Sequence, residues 1–82
     1  MNVELLLEEY MPLNLADIGT NYIIQKICGD DEERHYLESL GFVEDASVCI
    51  LSAFFGYYVV RIKDSKIGIG KEFAKMIIVQ SD

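Results

Sequence analysis

A small, mainly β domain with one short helix, its five or so short strands bent into a barrel, is the fold this 82-residue sequence predicts. Three observations carry that expectation. Runs of alternating or β-branched residues recur at short spacing, each bounded by Gly, Asp or Ser. One segment alone carries a full set of helix start and stop signals. Apolar residues make up 51% of the chain, which supports a packed core, while the length leaves no room for a second one.

The elements follow in order. Residues 1–10 place Leu5, Leu6, Leu7 and Tyr10 among glutamates, a weakly amphipathic pattern for a short helix or tail that Pro12 limits. We take 1–10 as an extension and 11–82 as the folded domain. Leu13, Leu15 and Ile18 lead through a short turn to Gly19. Thr20 to Cys28 reads as a strand whose imperfect alternation allows burial on both faces or a bulge, and Gly29 and Asp30 end it. Asp30 is then a helix N-cap with Glu33 as its capping-box partner, and Asp31, Glu32 and Glu33 crowd the first turn, where the helix dipole favours negative charge. Tyr36, Leu37 and Leu40 form the apolar stripe. Gly41 sits at C′, and Phe42 at C″ is placed to touch Leu37 in a Schellman motif.

Strands follow at short intervals. Ser47 to Ser52 puts Val48 and Ile50 on one face, and Tyr57 to Lys63 turns Tyr58, Val60 and Ile62 inward with Arg61 and Lys63 outward. Ile67 and Ile69 alternate with Lys66, Gly68 and Gly70; Lys71 to Lys75 fits one helical turn; Met76 to Gln80 is a closing strand. Gly56, Asp64 with Ser65, and Gly70 separate these pieces.

Fourteen acidic against seven basic residues give a formal charge of −7, the wrong sign for nucleic acid or for an anionic membrane. A protein surface with a basic or mixed patch is the better match. The longest apolar runs fall far short of the ~20 residues that span a bilayer. Glu4, Glu8 and Glu9 interrupt the N-terminal leucines, so no signal segment is expected and the protein is placed in the cytoplasm. Cys28 and Cys49, far apart in strand-like segments, read as small apolar residues in a reducing compartment rather than as a disulfide.

No catalytic constellation emerges. His35 is the one histidine, on the exposed part of an acidic helix, and neither cysteine has a basic neighbour in sequence. The run Ile67-Gly68-Ile69-Gly70-Lys71 lacks the rest of a phosphate-loop spacing. The expectation is therefore a protein that is not an enzyme and holds no cofactor. Glu32, His35 and Glu38 stand at successive i, i+3 steps, so one imidazole and two carboxylates share part of a helix face and can bind a divalent transition ion weakly. A solvated, glutamate-rich helix face accounts for the same three residues and is the simpler reading, so no metal is assigned.

Ala53-Phe54-Phe55-Gly56-Tyr57-Tyr58 is the most informative segment outside the core. Gly56 marks a hairpin turn, and four aromatics around it exceed what alternating strands bury on one face. Two readings fit. Phe54, Phe55 and Tyr57 form an exposed aromatic surface for a partner or a second copy of the chain, or the hairpin folds back and seals an open end of the barrel.

Across Met11 to Gln80 the chain resembles the FeoA family, small cytoplasmic accessory proteins of bacterial ferrous iron uptake. Met11-Pro12-Leu13 and Ile18-Gly19 match, as does the strand ending at Gly29. Arg34-His35-Tyr36-Leu37-Glu38-Ser39-Leu40-Gly41-Phe42 is similar to the family's R-x-x-L-x-x-L-G-hydrophobic helix. Val59 to Gly70 and Phe73 to Val79 are similar to its closing strands and one-turn helix. The resemblance implies an SH3-like barrel with an inserted helix, and a non-enzymatic role binding the cytosolic GTPase part of the membrane permease FeoB, with the protein peripheral at the inner membrane only through that partner. It also leaves room for an alternative, a metal-responsive module related to the C-terminal domain of iron-dependent repressors. Glu44-Asp45 stands where the family often has Pro-Gly, which puts that turn's geometry in question, and residues 1–10 precede the usual start.

Overall fold

The computed structural model describes residues 10–82. The 1–10 extension expected from the sequence lies, up to residue 9, outside the described residues. Strand β1 (Met11–Pro12) leads into a 3-10 turn (Leu13–Leu15), then β2 (Asn21–Ile27), helix α1 (Asp31–Ser39), β3 (Ser47–Phe54), β4 (Tyr57–Ile62), β5 (Ser65–Gly70), the single turn α2 (Lys71–Ala74) and β6 (Ile77–Ser81). All pairings are antiparallel, in the order β1-β6-β2-β3-β4-β5.

Two features differ from the expected barrel of about five strands. Among the described residues there are six strands, because Met11 and Pro12 pair with Val79 and Ile78. A two-residue strand has no periodicity to read; its partner lies at the far end of the chain. The sheet is also not closed, since β1 and β5 remain its two edges. Its strands nonetheless pack round one core cluster. Register shifts between Ile24 and Lys26 in β2 and between Ile50 and Ser52 in β3 insert bulges, which increase twist and wrap the strands round one core. The bulge in β2 resolves the imperfect alternation of that strand.

The inward residues of each strand meet in that core: Ile24 from β2, Val48 and Ile50 from β3, Val60 and Ile62 from β4, and Ile77 and Val79 from β6 are all at most 1% exposed. Leu13 of the 3-10 turn closes one side and Leu37 of α1 another, both fully buried. Tyr22 is buried as well, and its hydroxyl accepts a hydrogen bond from the Asp17 N–H at 2.9 Å, so its polar end is partnered.

Helix α1 forms as its capping residues require. The Asp30 carboxylate accepts from the Glu33 N–H at 2.8 Å, and the Glu33 carboxylate accepts from the Asp30 N–H at 3.0 Å. At the other end the Phe42 N–H donates to Leu37 O and the Gly41 N–H to Glu38 O, both at 3.0 Å, with Gly41 at φ +106°. That pair of bonds is the Schellman motif, and it delivers Phe42 and Leu37 together into the core. Tyr36 stays half exposed and stacks on Phe73 at 5.2 Å, tying α1 to the segment of α2.

The turn after the helix is hydrogen-bonded and has a left-handed residue at Asp45. Ala46 N–H donates to Val43 O at 3.2 Å, and Asp45 takes φ +71°. A positive φ at the third position is what a Pro-Gly pair adopts in a type II turn. Asp is among the few residues that tolerate it.

Candidate functional site

The β3–β4 hairpin sets the aromatic residues. Phe54 pairs with Tyr57, leaving Phe55-Gly56 as a two-residue loop. Both loop residues have positive φ, +49° and +74°, the signature of a type I′ turn, whose twist matches that of the flanking strands. Gly56 belongs there. Phe55 does not: the first position of this turn favours Asn, Asp or Gly, and a bulky side chain in the left-handed region is strained. Its ring makes no compensating burial, being fully exposed. Phe54 (55% exposed) and Tyr57 (45%) flank it, with ring centroids 6.4 Å from Phe54 to Phe55 and 6.2 Å from Phe54 to Tyr57. Tyr58, on the inward side of β4, is half-buried and packs against the core. Three of the four aromatics therefore stand in solvent and one does not.

The platform beneath them is held in place. The Lys71 N–H donates to Gly56 O at 2.8 Å and clips the turn to the start of α2. The Tyr57 ring lies across Gly68 of β5, where a Cβ would overlap the hydroxyl and the ring edge. Neither feature was legible beforehand; the one available signal was a glycine in the middle of an alternating strand, which marks a close approach.

The other candidate residues lie apart. Glu32, His35 and Glu38 are all exposed along α1, while Glu33 is engaged in the cap. Among the described residues no three His, Cys, Asp or Glu side chains come together as a metal-holding group. Both thiols are free; Cys49 is buried and Cys28 half-buried. A further cluster sits at the far end of β4, where Arg61 lies directly opposite Lys66 of β5 and Lys63 follows at φ +54°. Among the described residues no helix is long and apolar enough to cross a membrane.

A family model described as the FeoA domain matches residues 11–81. Among solved structures, a crystal structure of an iron uptake regulatory protein (FeoA) is 25% identical, with a TM-score of 0.82 over 89% of this chain and 97% of that one. The FeoA-like protein from Clostridium acetobutylicum is 19% identical, with a TM-score of 0.80 over 89% of this chain and 87% of that one. A manganese-dependent transcriptional repressor is 24% identical, with a TM-score of 0.82 over 89% of this chain but only 42% of the repressor. The last two likenesses speak to the SH3-like fold alone. No curated protein matches the chain. With the order of elements, the capped helix and the matched span in agreement, this chain belongs to the FeoA domain family.

Proposed function

We propose that the protein is a non-enzymatic accessory factor of bacterial ferrous iron uptake that binds the cytosolic GTPase part of a FeoB-type permease through Phe54, Phe55 and Tyr57. The observation that carries this reading is Phe55 itself. A ring that gains no burial, at a backbone position that disfavours it, is retained for what it touches outside the molecule. Aromatic side chains grouped on a clipped hairpin lose little freedom on binding, the property of interface anchors. The reading places the protein in the cytoplasm, at the inner membrane only while its partner holds it there, and requires no cofactor.

The test is affinity capture from gently solubilised native membranes, with mass spectrometry as readout. The wild-type chain should enrich a GTPase-bearing ferrous permease, and the Phe54→Ser/Phe55→Ser chain should not. Equal enrichment by both would remove the hairpin from the account; enrichment of a soluble repressor by the wild type would move the assignment.

The likeness to metal-dependent repressors favours a second reading, a metal-responsive regulatory module. Its candidate ligands are His35, Glu32 and Glu38, which are exposed along α1 and are not gathered as a metal-holding group among the described residues. Titration with ferrous iron or zinc separates the two: this reading needs stoichiometric binding that His35→Ala abolishes, and the first needs none.

A further inference from the structure

The charge of this chain is unevenly spread. Residues 17–45 hold eight acidic and two basic side chains, whereas residues 61–75 hold five basic and two acidic. Three of those cations gather at one corner. Arg61 and Lys66 are cross-strand partners on the outward face of β4 and β5, and both are exposed. Like charges placed directly opposite repel each other. Among the described residues the one ion pair is Arg34 with Asp31, so no carboxylate offsets them. Lys63, one residue beyond β4, takes φ +54°, a left-handed conformation costly for a lysine. The tip at Phe55 and the corner at Lys63 thus share one property: exposed side chains held against local preference, at opposite ends of β4.

The surface between the two ends suits a strand. Strand β5 pairs with β4 on one side only, and its other edge has no strand partner among the described residues. Its outward positions are Lys66, Gly68 and Gly70; the Tyr57 ring lies over Gly68, and the Glu72 carboxylate lies over Gly70. An added strand presents alternate side chains to that face. One opposite Lys66 meets the Arg61–Lys66 pair. One opposite Gly70 lies beside Tyr57, its register partner, and the hairpin aromatics, with the Glu72 carboxylate bordering the position. Those two positions are four residues apart, about 13 Å in an extended chain.

We infer that the outward face of β4 and β5 takes an extended, acidic segment of the partner protein, added as a strand along the free edge of β5. Its carboxylate lies against Arg61 and Lys66, and an apolar side chain four residues away lies against Tyr57 and Phe54. This rests on the reading of the hairpin as a docking surface and names the chemistry of what docks there. Charge decides the occupant: the corner lies within residues 61–75, which hold five of the seven basic residues of a −7 chain, and an acidic segment also relieves the Arg61–Lys66 repulsion.

The test uses fluorescein-labelled eight-residue peptides in a Thr/Val background and anisotropy with the full chain. One peptide carries Leu and, four residues on, Glu. A second shortens that spacing to three, which turns the Glu to the opposite face. A third has Lys in place of Glu. The first should bind at least about tenfold tighter than the other two, the scale of one or two charge-assisted hydrogen bonds, and its advantage should fall with added salt. In the Arg61→Glu/Lys66→Glu chain the preference should invert toward the Lys peptide, a gain that an unfolded variant cannot show. Equal affinity for all three peptides, no inversion in the reversed chain, or tighter binding of an oligouridylate probe at the same residues would overturn the inference. Should the reversed chain capture the permease as well as the wild type while Phe54→Ser/Phe55→Ser does not, the hairpin reading stands and this one falls.

Discussion

Helix α1 and the β3–β4 hairpin are both short, local elements, and they treat local rules in opposite ways. In α1 the residues that start and stop the helix agree with the fold. The cap is a capping box, the first turn is acidic, glycine occupies the left-handed C′ position, and Phe42 follows it into the core. In the hairpin the turn geometry is just as regular, yet its first loop residue is the wrong type, and the large side chain it carries is left in water. Consistency across levels marks the part of a chain that specifies structure; a conflict kept without structural gain marks a site under another demand. The comparison therefore assigns α1 to stability and supports the proposal that the hairpin tip serves recognition.

The largest effect is expected where α1 meets the core. Phe42 is fully buried, and Phe42→Ala should cost about 3–5 kcal/mol. That is comparable with the whole stability of a domain this small, roughly 4–12 kcal/mol at the usual per-residue values. Urea titration should show a chain near or past its midpoint without denaturant; a loss below about 1 kcal/mol would mean that the helix docks more loosely than its burial indicates. Next comes Gly41→Val. A Cβ there would meet Ile62 at an ordinary 3.7 Å, so space is not the obstacle and the cost is that of φ +106° alone, on the order of 1–2 kcal/mol. Asp30→Ala removes the cap acceptor and should cost about 1 kcal/mol by the same measurement.

The hairpin should behave in the reverse sense. Phe55→Asn creates the Asn-Gly pair that a type I′ turn favours, so stability should rise by about 0.5–1 kcal/mol. The smallest effect is expected at the other strained turn. Asp45→Gly relieves φ +71° at a residue that already tolerates it, and should add a few tenths of a kcal/mol, read as a small rise in the urea midpoint.

The same contrast explains what was legible in the sequence. The helix, its caps and the hairpin strands rest on contacts a few residues apart, and each has a composition that announces it. The short β1 strand depends on a partner far along the chain, and the bulge at Ile50/Ser52 is a shift of register within the hairpin; neither leaves a local mark. Strand register moved the β4–β5 turn as well: Ile62 pairs with Ser65, so the loop is Lys63-Asp64 rather than Asp64-Ser65. Cys49 is buried on the outward row between Asn21 and Arg61, which only the pairing of three strands brings together. At the candidate site the excess of aromatics was visible from their number. The left-handed Phe55, the seat of Tyr57 on Gly68 and the cationic row of Arg61 and Lys66 were not, because each is a relation across strands or within a turn.

The central claim is that Phe55 is kept for recognition at the expense of the fold, and a paired measurement on Phe55→Asn tests it most directly. Its urea midpoint and its capture of the permease from solubilised membranes are read beside those of the wild type. The account predicts a higher midpoint and a lost or strongly reduced capture. A lower midpoint with capture unchanged would contradict it, and would make the phenylalanine a structural residue.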